Sequence, residues 1–219
     1  MSNFLEIIFA QLERSGGRVV LREIHGEQFV SVTGRELLEQ VRQVRAYLRK
    51  TELRPGDRCA LLAPNSIQWV VFDLALMAEG IIVVPLYARQ SPVELAAMMR
   101  DSEPMLLLTS DAALGEAAMQ AWAGDSAVMP RSLRFDEVLQ QAVIPARSIP
   151  DSPSARIDSD LVTIIYTSGT SGEAKGVCLT TGNVTHMLSC TTERLNQLMG
   201  QTREPDRVFH YAPFNFAAS

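Results

Sequence analysis

Apolar residues recur at Leu37, Val41, Val44 and Leu48, the spacing of a helix that buries one face. Thr33 precedes this run and Glu36 follows three places later. That pairing lets a hydroxyl and a carboxylate each accept a backbone amide that the first turn leaves free. Pro55-Gly56-Asp57 then turns the chain into a short apolar run, CALLA at 59–63. Pro64-Asn65-Ser66 opens a second helix, SIQWVVFDLALMAE, and Gly80 ends it where a left-handed residue is favoured. IIVVPLY at 81–87 is rich in β-branched residues and predicts a buried strand. Ser91, Pro92 and Glu94 give another helix start, with Leu95, Met98 and Met99 on its inner face. After Glu103-Pro104 comes a third strand, MLLLT. Alternating strands and helices with short connections predict an α/β fold with a doubly wound, largely parallel sheet.

Beyond this the pattern thins. Helices are expected at about 111–121 and 135–142, on either side of DSAVMP. VIPARSIPDSPSARIDSD at 143–160 holds three prolines and four serines with no hydrophobic period, which predicts a linker over the surface. LVTIIY is another buried strand, and VCLT is its expected hairpin partner. A helix from about 182 to 199 and a strand at RVFHYA (207–212) complete the chain. The expected organisation is an N-terminal α/β subdomain over 1–142, the linker, and the start of a second α/β subdomain over 161–219. The N-terminal MSNFLEIIFAQLER lacks a basic start and carries Glu6 within its apolar stretch, so it predicts an amphipathic helix and not a secretory signal. Trp69 and Trp122 fall in helical segments as apolar anchors.

Composition narrows the function classes. The chain has 219 residues, 47% hydrophobic and 21% charged, enough apolar material for a substantial core. A net charge of −5 without a lysine or arginine run argues against nucleic acid and anionic lipid as partners. Cys59, Cys178 and Cys190 are an odd number without paired spacing, which argues against a disulfide framework or zinc site and fits a reducing, cytoplasmic setting. Every apolar run other than the N-terminal one is too short to span a bilayer. His25 and His186 show no metal-ligand spacing.

The candidate chemistry sits in TSGTSGEAKG, residues 167–176. Gly169, Gly172 and Gly176 allow the backbone to curl closely and turn its N–H groups toward a small anion. Thr167, Ser168, Thr170 and Ser171 add short hydroxyl donors, and Lys175 adds one mobile positive charge. A polyphosphate calls for that set: many donors, little bulk, and an ammonium that can follow moving charge. The loop is not the common P-loop, because Lys175 stands three places after Gly172 and no hydroxyl follows it. The plain alternative is a flexible glycine–serine hairpin with a solvated lysine.

YTSGTSGEAKGV at 166–177 resembles the phosphate-binding signature of the AMP-forming adenylating enzymes, which include acyl-CoA synthetases, peptide-synthetase adenylation domains and luciferases. It departs only at Ala174, where proline is commoner. LTTGNV at 179–184 is similar to the family's following L-T-H-x-N, with Thr181 in place of histidine. LRPGDRCALLAPNSIQWVVFDLALMAEGIIVVPLY resembles an upstream family block, so the likeness runs from about residue 30 to the end. The resemblance implies the N-terminal part of an adenylating-enzyme large domain. It implies that Thr167, Ser168, Gly169, Thr170, Ser171 and Gly172 wrap the ATP phosphates with Lys175 beside them, and that Thr170 helps hold Mg²⁺. Lys175 and Thr170 would be the catalytic residues of an ATP-dependent acid–thiol ligase with coenzyme A as co-substrate.

The identity of the acid rests on thinner signals. Tyr87 matches the V-P-L-Y of fatty acyl-CoA synthetases, where peptide synthetases usually carry aspartate. In RVFHYAPFNFAAS the resemblance places Phe214, Asn215 and Phe216 along the acyl pocket, with Asn215-Phe216 replacing the usual small residue and histidine. Core packing is the equally weighted alternative for Phe214 and Phe216. A fatty acid is the expected substrate, and His210 is expected to pack. Family members are commonly more than twice this long, so the chain is expected to be inactive alone. A nucleotide-binding or interaction module is the competing reading, and a homodimer through exposed apolar surface is expected.

Overall fold

The computed structural model describes residues 2–122, 129–141, 149–150, 152–168, 174–199, 208–210, 212 and 214. The chain begins with α1 (Phe4–Ser15), capped by reciprocal hydrogen bonds between Asn3 and Glu6. β1 (Val19–His25) and β2 (Gln28–Thr33) form an antiparallel hairpin that turns at Gly26, φ 61°. This hairpin is additional to the predicted elements. Glu23 on β1 accepts the N–H of Ile67 at 2.9 Å and also pairs with His25 Nε2 at 2.9 Å. His25 thus has a local carboxylate partner.

The alternating series is present as predicted: α2 (Gly34–Leu48), β3 (Arg58–Leu62), α3 (Ile67–Ala78), β4 (Ile82–Leu86), α4 (Pro92–Ser102) and β5 (Leu106–Thr109). Both expected capping boxes are present, Thr33 with Glu36 and Ser91 with Glu94, and Ser66 caps α3 through the N–H of Trp69. Gly80 ends that helix region at φ 83°, where an added Cβ would lie 2.8 Å from Pro55 Cβ. The remaining elements are α5 (Ala112–Trp122), β6 (Arg131–Arg134), α6 (Phe135–Gln141), β7 (Leu161–Ser168), β8 (Ala174–Thr180) and α7 (Thr181–Met199).

Six strands form one sheet in the order β6-β5-β3-β4-β7-β8. All neighbours are parallel except the β7–β8 hairpin. Strand periodicity divides the core. Cys59, Leu61, Val83, Leu106 and Leu108 face a layer built from α1, α2, α3 and α6, whereas Ala60, Leu62, Val84, Leu86 and Leu107 face α4 and α5. Each face is therefore covered by helices, which is why these strands read as continuous apolar runs. β7 pairs with β4 through Val83 and Thr163, so the 143–160 stretch separates strands in sequence while the sheet continues across them. Residues 208–210 carry no strand pairing. The strand expected at RVFHYA is absent there, and Val208 and Phe209 are 82% and 73% exposed. β-Branched composition favours a strand only where a partner edge is available. Among the described residues no helix is long and apolar enough to cross a membrane.

The described part of the 143–160 segment is held from below. Arg45 on α2 is fully buried; its Nε donates to Glu79 Oε1 at 2.7 Å, and Nη1 and Nη2 donate to the carbonyls of Pro150 and Ser152 at 2.8 and 3.1 Å. The second oxygen of Glu79 accepts from Arg49 Nε at 2.7 Å. Two residues on, the N–H of Ser154 bonds the Ala78 carbonyl, and the Arg156 guanidinium donates to the Met77 and Leu161 carbonyls. A cation thus adds to the Met77 carbonyl, which already accepts from the Gly80 N–H at the end of α3, and the same side chain reaches the first residue of β7.

Asp73 on α3 is flanked at helical spacing by Trp69, Val70, Leu76 and Met77, and is only partly open to solvent. Burial pushes its carboxyl up to about 7. The raised value means that the fold favours the neutral acid. Its contribution to stability is full below the unfolded value near 4 and is lost as pH rises to 7. Asp73→Asn should therefore stabilise the chain above pH 7 by on the order of 2 kcal/mol, with the gain vanishing toward pH 4. Urea denaturation at pH 4.5 and 8 checks this; an equal effect at both would remove the assignment.

Candidate functional site

β7 runs parallel to its neighbour β4, so its last residues, Thr167 and Ser168, emerge at the carboxyl ends of the parallel strands. That edge is where open α/β sheets take up ligands. The chain leaves at Ser168 and returns at Ala174, which are directly paired, and one step below them Thr167 pairs with Lys175. Directly opposed residues on antiparallel strands share a face of the sheet, so a hydroxyl and an ammonium stand side by side at the hairpin mouth. Thr167 is half-buried and Lys175 is exposed. Gly169, Thr170, Ser171 and Gly172 lie outside the described residues. So the structure brings together the two ends of the predicted loop.

Glycine at position 176, inside β8, is required by packing. Gly176 lies opposite Tyr166, and an added Cβ would come within 2.9 Å of Ile164 Cγ2 and 3.2 Å of Tyr166 Cζ. The ring of Tyr166 therefore covers the position next to Lys175. Burial, reinforced by a hydrogen bond to the Asp101 carboxylate, pushes the Tyr166 phenol above its ordinary value, so it stays a proton donor. The donor set at the mouth, one hydroxyl and one ammonium with a glycine beneath, fits a polyphosphate. Among the described residues no group of three or more His, Cys, Asp or Glu side chains could hold a metal ion. Thr170, the predicted Mg²⁺ ligand, is outside them.

The predicted acyl-pocket segment approaches a different helix end. Phe214 is half-buried; its N–H donates to Asn65 Oδ1 at 2.9 Å, while Asn65 Nδ2 donates to the Ala212 carbonyl at 2.8 Å. The ring of Phe214 lies 5.0 Å from Trp69, and His210 stacks on it, also at 5.0 Å. His210 stays exposed while it stacks on Phe214. Asn215 and Phe216 lie outside the described residues. Asn65, read from sequence as part of a helix start, is thus a two-point clamp on the tail. Its amide pairs with that segment as a strand neighbour would, and only the position of the tail reveals it.

The sequence model of the AMP-binding enzyme family matches residues 8–219. The chain belongs to that family. A long-chain-fatty-acid–CoA ligase of Mycobacterium bovis is 26% identical over 198 residues, covering 84% of this chain and 32% of the relative. Among solved structures, an O-succinylbenzoate coenzyme A synthetase from Bacillus subtilis in complex with AMP superimposes with a TM-score of 0.69 at 27% identity, covering 92% of this chain and 47% of that one. The N-terminal subdomain of Klebsiella oxytoca NpsA, in complex with 3-hydroxybenzoyl-AMSN, shares the fold with a TM-score of 0.65 at 23% identity, covering 82% of this chain and 41% of that one. The chain spans about a third of the length of the curated ligase it matches. The mostly parallel sheet with helices on both faces is the fold of the N-terminal subdomain of adenylating enzymes.

Removing the clamp should release the tail locally. In Asn65→Ala, amide exchange at Phe214 is expected to accelerate at least tenfold, consistent with loss of a hydrogen bond worth about 1–2 kcal/mol, while the β3–β5 amides hold. Unchanged exchange at Phe214 would show that ring packing alone holds the segment.

Proposed function

We propose that this chain carries the phosphate-binding hairpin of an ATP-dependent carboxylate-activating ligase. The pairing of Thr167 with Lys175 at the carboxyl end of β7, within a chain of the AMP-binding enzyme family, is the observation that carries the reading. A substrate carboxylate oxygen attacks the α-phosphorus of ATP, the bond to the bridging oxygen breaks, and acyl-AMP and pyrophosphate result. Thr167, Ser168, Gly169, Thr170, Ser171 and Gly172 hold the β- and γ-phosphates, and Lys175 offsets the charge that builds on the departing pyrophosphate. The Thr170 hydroxyl would help hold Mg²⁺, which would supply further charge neutralisation there. A thiol, coenzyme A in this reading, then displaces AMP to give the thioester.

The Mycobacterium bovis relative, Tyr87 and the aromatic pair Trp69–Phe214 support a fatty acid as the carboxylate. Three free thiols support a cytoplasmic setting. A nucleotide-binding module without turnover is the second reading.

Acid-dependent ATP–pyrophosphate exchange separates the two. With a panel of short- to long-chain fatty acids, the ligase reading expects exchange that depends on one chain-length class and falls at least a hundredfold in Lys175→Ala, in line with loss of one charge-stabilising group. Tight ATP binding with no exchange supports the module. ATP binding and exchange that are both indifferent to Lys175→Ala would end the phosphate-site reading. The exposed apolar side chains Val177, Leu195 and Leu198 support a homodimer. Light scattering of the same preparation is expected to give twice the monomer mass, and a monomer at micromolar concentration would exclude it.

A further inference from the structure

We infer that Asp101 is a positioning residue for the phosphate loop and acts through Tyr166. The inference rests on the reading of 167–176 as a phosphate site. Tyr166 Oη donates to Asp101 Oδ2 at 2.6 Å, joining the strand that enters the loop to the last turn of α4. A phenol bonded to a carboxylate at that length belongs to the charge-assisted class, the stronger kind of hydrogen bond.

Each end of the link is fixed from outside. At the α4 end, Arg58 Nε donates to the Ser102 carbonyl at 2.9 Å and Nη2 to the Glu103 carbonyl at 2.8 Å, and the Ser102 hydroxyl bonds the Met98 carbonyl. Asp101 is therefore carried on a helix end that β3 holds in place. At the β7 end, Ile164 and Tyr166 pack against the α4–α5 side of the core, while the Tyr166 ring lies against Gly176. The hydrogen bond fixes the ring, the ring fixes the approach of β8, and Lys175 is the adjacent residue on β8. A tyrosine without its partner could rotate away and let the two strands separate at the loop's base. Asp101 itself is exposed and lies 65 residues from Tyr166 in sequence, and the phenol is the group it bonds on β7.

The test uses the 219-residue chain and three variants, Tyr166→Phe, Asp101→Ala and Asp101→Asn. Two readouts are taken: amide exchange at Thr167, Ser168, Lys175 and Gly176 against the β3–β5 amides, and calorimetric affinity for inorganic pyrophosphate with Mg²⁺. Tyr166→Phe and Asp101→Ala should speed exchange at the hairpin mouth about tenfold and weaken pyrophosphate by a similar factor, as expected for loss of one charge-assisted bond. The β3–β5 amides should not change. Asp101→Asn keeps an acceptor oxygen and should recover most of both effects. Unchanged exchange at the mouth overturns the inference, and so does acceleration spread evenly through the sheet, which would mark a role in global stability only. If the unaltered chain takes up no pyrophosphate, the phosphate-site reading fails, and the exchange pattern still decides whether Asp101 holds the hairpin.

Discussion

The buried guanidinium of Arg45 is the constraint on which the placement of the site depends. Removing a cation from water costs several kcal/mol, and the cost is offset only if its donors find good acceptors. Arg45 meets that condition by drawing on three separate places: Glu79 beyond the end of α3, and the carbonyls of Pro150 and Ser152. The need to satisfy one buried charge therefore fixes the path of a proline- and serine-rich segment that has no hydrophobic face of its own. From Ser152 the chain reaches β7 at Leu161, and on the way Ser154 and Arg156 tie it to the end of α3 as well. β7 consequently enters the sheet beside β4 at a defined height, and its last residues come out at the carboxyl edge.

At that edge the deciding quantity is the spacing between two strands. A phosphate site needs donors at fixed separation, because reorganising them during reaction would cost the energy they are meant to supply. The β7–β8 hairpin provides a rigid base through its ladder of hydrogen bonds, the close approach at Gly176, and the anchored ring of Tyr166. The loop residues themselves can then be small and numerous. At the start of α3, Asn65 does a similar service for the aromatic tail by supplying both a donor and an acceptor. Helix-end residues thus do much of the positioning in this fold. They are well suited to it, because their neighbouring backbone groups are not committed to helical hydrogen bonds.

The elements that were legible in the sequence share a physical basis. Capping boxes at Thr33 and Ser91 involve residues three apart, and strands such as CALLA are apolar throughout because helices cover both faces. Their determinants lie within a few residues of where they act. The β1–β2 hairpin carried a faint signal, because its strands are mostly exposed and so carry little apolar contrast. The segment RVFHYA carried the opposite fault: its residues favour a strand, yet Val208 and Phe209 meet no strand edge. Composition reports what a strand would bury and does not report whether a neighbour is there to bury it.

Local sequence was enough to set the alternating helices and strands from α2 to β5, the two-sided burial of the parallel strands, and the hydroxyl-, glycine- and lysine-rich chemistry of the loop. Each of these comes from short-range periodicity or from the side chains' own donors and charges. Packing in three dimensions was needed for Arg45 to bind carbonyls 105 and 107 residues away, for Asp101 to hold Tyr166, and for Asn65 to clamp Phe214. Those contacts join residues whose separation along the chain leaves no periodic trace. They arise only when the packed core has already brought their backbones within hydrogen-bonding distance.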